Sequence, residues 1–150
     1  MVFITVRTAA KPATSAWWTH VASENSRTEL VLDNDPRLIR AVGSILEHLA
    51  ERARMPAEAK KGLVEAAETS CREAFPLIGN HNSTLKVIIL DYPDRIEVML
   101  EHAGGPEGSA PREEGKSPHL SLVDRVHREA CEGISRTTLV KYLPKEPAKA

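Results

Sequence analysis

The chain has 150 residues, of which 20 are basic and 21 acidic, for a formal net charge of −1. That length fits one domain with a real core, burying roughly 70% of its unfolded surface, and the balanced charge excludes a basic field that would draw nucleic acid or anionic lipid. No apolar run reaches the ~20 residues a membrane-spanning helix needs, and Cys71 and Cys131 both fall in helix-like segments, so they read as two buried free thiols of a cytoplasmic protein.

Along the chain, Val2 to Val6 predicts an edge strand, with Arg7 and Lys11 following the short apolar run in the reverse of a signal peptide's order. Residues 1–27 form an N-terminal extension whose Trp17 and Trp18 dock on the body or on a partner. Thr28 to Leu32 is a short strand. Asn34 or Asp35 then caps a helix with Pro36 in its first turn, and Leu38, Val42, Ile45, Leu46, Leu49 and Ala53 share one face until it ends near Met55. Pro56 opens a second helix, whose small stripe of Ala66, Ala67, Ser70, Cys71 and Ala74 lets it lie close to a sheet. Pro76 and Gly79 are expected to end it.

Thr84 to Leu90 and Arg95 to Glu101 alternate in the manner of strands around Asp91-Tyr92-Pro93-Asp94, which predicts a hairpin. Ala103 to Lys116, rich in Gly and Pro, predicts a long loop. Ser117 caps and Pro118 starts a third helix lined by Leu120, Val123 and Val126 and closed by Gly133, before a last strand from Ile134 to Leu143 and a disordered tail over 145–150. The order buries best as an α/β two-layer sandwich, helices on one face of a mixed, mainly antiparallel sheet. His127 and Cys131 stand one turn apart if helical, without the further ligands of a zinc set.

The segment MPAEAKKGLVEAAETSCREAF, the hairpin DYPDRIEVMLEHAGG and the closing TTLVKYL together resemble the bacterial anti-sigma factor serine kinases, members of the ATPase superfamily shared by gyrase, histidine kinases and mismatch-repair ATPases. The resemblance covers Glu29 to Leu143 and implies a histidine-kinase-like ATPase domain over 28–144. In that family a helix glutamate is the general base, and an asparagine one turn later helps hold magnesium. Here Glu65 matches the first position and Thr69 stands at the second, with a hydroxyl of shorter reach than an amide.

The family's Asp-x-Gly-x-Gly, whose carboxylate accepts from the adenine amino group, falls on His102, Gly104 and Pro106. Its Gly-x-Gly-Leu, which lets phosphate reach backbone N–H groups at a helix start, falls on His119, Leu120, Ser121 and Leu122. Three lost contacts of ~1.4 kcal/mol each would weaken nucleotide binding about a thousandfold. The resemblance with these departures implies an anti-sigma-factor-like regulatory protein, homodimeric, that works by capturing a sigma factor or an anti-sigma-factor antagonist, with no cofactor expected. The alternative is a divergent ATP- and magnesium-dependent serine/threonine kinase with Glu65 as its catalytic base. A third reading reuses the pocket for another small ligand faced by His102 and His119.

Overall fold

A computed structural model describes residues 3–8, 26–78, 84–103 and 118–144 of the chain. Strand β1 (Phe3–Thr8) pairs antiparallel with β2 (Ser26–Leu32), which pairs antiparallel with β3 (Leu85–Asp91). A tight turn joins β3 to β4 (Arg95–Ala103), with the Tyr92 N–H donating to the Arg95 carbonyl at 2.9 Å, so the hairpin expected around Asp91 to Asp94 is present. The sheet closes with β6 (Ile134–Tyr142) against β4 and β5 (Arg125–Cys131) on the outside, giving the order β1-β2-β3-β4-β6-β5. All five pairings are antiparallel, which corrects the expectation of a mixed sheet.

Two helices cover one face of this sheet. Asp35 accepts from the Arg37 N–H at 3.0 Å and caps a short 3-10 turn, Pro36–Leu38, that leads into α1 (Ile39–Arg52). The helix stops where Arg54 takes a positive φ of 58°, close to the predicted end. Helix α2 (Ala57–Ile78) takes in Pro76 and ends at Ile78, next to Gly79, the second of the two residues expected to end it. The proline is exposed in the last turn and removes one backbone donor, while Phe75 and Ile78 on either side of it are buried and hold that turn against the core.

The core lies between the layers. Leu30 and Leu32 of β2, Leu85, Val87 and Ile89 of β3, Ile96, Val98 and Leu100 of β4 and Leu139 of β6 meet Val42 and Leu46 of α1 and Leu63, Ala66, Ala67 and Cys71 of α2. The small stripe foreseen on the second helix is the part of α2 that is buried. Each large aliphatic side chain removed from water here stabilises the fold by about 1.5–3 kcal/mol.

The main departure follows residue 117. The predicted third helix is a five-residue 3-10 turn, Pro118–Leu122, followed by strand β5. Leu120, Val123 and Val126 do pack on the core, but from a turn, a connection and a strand. Gly133, read as a helix stop, is half of a two-residue hairpin turn in which Glu132 and Gly133 both have positive φ, 53° and 76°, the twist that suits an antiparallel pair. This strand also explains the all-antiparallel sheet. A helix between β4 and β6 would be a crossover to a parallel strand, whereas an extra strand reverses the chain once more.

Gly104, the long loop, Ser117, the tail, and Trp17 with Trp18 lie outside the described residues, as does the side chain of Cys131. The backbone of Cys131 ends β5, so His127 and Cys131 are four strand residues apart, roughly 13 Å, and not one helical turn.

Candidate functional site

The expected site residues distribute over α2, the end of β4 and the turn at 118–122. Glu65 is exposed on α2, and Thr69, one turn later, is half-buried on the neighbouring edge of the same helix. His102 is the penultimate residue of β4, in register with Ser135 of β6. Its Nδ1 lies 2.8 Å from the Ala103 carbonyl oxygen. A carbonyl only accepts, so Nδ1 is the donor in this contact.

His119 is the best-anchored member of the set. It is 8% exposed, and its Nε2 stands 3.4 Å from Ser70 Oγ and 3.7 Å from Glu73 Oε2, both on α2. Three residues on, the backbone and Cβ of Leu122 cover Gly62; a Cβ placed on that glycine would meet the Leu122 carbonyl oxygen at 3.2 Å. The turn therefore lies directly along α2, from Gly62 to Glu73. Ser121 points back into its own turn, its hydroxyl donating to the Pro118 carbonyl at 2.6 Å.

Ser70 and Glu73 were not foreseen as site residues. Ser70 read as one member of a small-residue stripe, and Glu73 carries no pattern that would single it out among surface glutamates. Only the packing of His119 brings the three together. Ser70 and Glu73 approach the same ring nitrogen, so these three do not form a nucleophile–base–acid relay.

On its far side α2 meets α1. Gly43 leaves room for the Glu68 carboxylate, which also pairs with Arg72 at 3.4 Å. Between the helices and the sheet, burial pushes the Cys71 thiol up to about 12, with Glu68 adding to the effect, so the thiolate is suppressed and the residue acts as a small apolar side chain. A second buried ionisable group, Asp91, closes β3 on the helix-bearing side, in register with Ser26, whose buried hydroxyl has no hydrogen-bond partner among the described residues. Desolvation raises the Asp91 carboxyl above its ordinary value, and Arg52 opposes the rise only in part.

Compared with known proteins, the chain matches no protein-family model and no curated protein.

Proposed function

We propose that this chain is a partner-binding regulatory protein of the anti-sigma-factor type, built on a histidine-kinase-like ATPase layout and working without nucleotide. The observation that carries this reading is the packing of the 118–122 turn on α2, with His119 seated against Ser70 and Glu73 and Leu122 against Gly62. In the resemblance, this is where phosphates would approach the backbone.

The residues present do not fit a magnesium nucleotide. A five-residue 3-10 turn supplies no helix dipole for phosphate. The His119 ring fills space along α2 that the first glycine of that motif would leave open, and Thr69 offers magnesium a hydroxyl in place of an amide oxygen. Phosphoryl transfer rests on placed metal and charge more than on a base, so an exposed Glu65 does not by itself sustain it. Function then falls to surface competition: a sigma factor or its regulator's antagonist is held or released by occupancy of one face, in a cytoplasmic homodimer. Among the described residues no helix is long and apolar enough to cross a membrane.

Calorimetry with ATP and ADP in the presence of magnesium tests the first half of this reading. No binding is expected up to millimolar nucleotide, whereas micromolar binding would favour the serine/threonine kinase and call for a phosphorylation assay against Glu65→Ala. The second half is tested by co-elution with purified sigma factors and anti-sigma-factor antagonists. A complex should form equally with and without ATP.

A further inference from the structure

We draw no further inference here: the strongest candidate, the buried side-chain cluster of Ser26 and Asp91 at the end of the β2–β3 pair, carries nothing, because the Ser26 hydroxyl lacks a hydrogen-bond partner only among the described residues and what remains is the raised pKa of a single carboxyl.

Discussion

Helix α2 is held from two sides, and its two flanks differ in what the neighbour is made of. Toward α1 it meets fourteen residues of continuous helix, across a contact where Gly43 admits the Glu68 side chain. Toward the 3-10 turn it meets five residues, across a contact where Gly62 admits the backbone of Leu122. Both contacts use a glycine to bring elements close. The long element is stabilised along its length by its own hydrogen bonds and a buried stripe, whereas the short one depends on a few side chains, His119 above all. The flank the resemblance assigns to a ligand is thus the flank with the fewest independent supports.

The largest expected effect is on that weaker flank. His119→Ala leaves Ser70 without its ring partner and opens space beside α2, which should cost about 1–3 kcal/mol of stability, read from the shift of the urea midpoint. Hydrogen exchange should accelerate across 118–122 and remain unchanged in α1. Equal acceleration in both would mean that the two flanks are one cooperative unit with no difference in support between them.

A pair of substitutions sharpens the same comparison at smaller amplitude. Gly43→Ala and Gly62→Ala each gain up to about 1 kcal/mol of helix propensity. The methyl added at position 43 has only to displace the end of a flexible glutamate, whereas the one added at position 62 presses on the backbone of the turn. Gly43→Ala should therefore be neutral or stabilising, and Gly62→Ala should lie about 1 kcal/mol below it. Equal thermal midpoints for the two variants would show that the turn yields as readily as a side chain.

The smallest effect concerns Asp91, on the sheet side of the core. Its folded-state pKa is raised by desolvation, so between the unfolded and the raised folded value the native state binds more protons than the unfolded one. This group's contribution makes stability fall as pH rises through that window. Asp91→Asn should remove the penalty, leaving the variant more stable than the parent at neutral pH, with the gap narrowing as the pH drops toward the ordinary carboxylate range. A gap that widens on acidification would show that the ionised carboxylate is held by a favourable contact instead.

Local sequence specifies structure most fully where one pattern admits one structure. The alternation of Ile96, Val98 and Leu100 against Val87 and Ile89, with a proline-containing turn between, fixes the hairpin and its buried face. Asp35 before Pro36 marks the start of the first helical segment, and the stripe from Leu63 to Ala74 marks the buried face of the second. The pattern is ambiguous after Pro118. Leu120, Val123 and Val126 recur at helical spacing, yet the residues from Val126 onward equally fit an edge strand, and a glycine after an apolar run ends a helix or turns a hairpin with the same chemistry.

The sequence by itself therefore determined the two layers, the two helices and most of the strands, because these rest on periodicity and on residue identity. Tertiary structure decided the rest. Residues 125–131 became a strand because an unpaired side of β6 was there to receive them, and Ser70 and Glu73 joined His119 only because the turn folds back along α2. Hydrogen-bond pairing across a sheet and contacts between residues 49 positions apart depend on what the rest of the chain offers, and no local stretch of sequence encodes that offer.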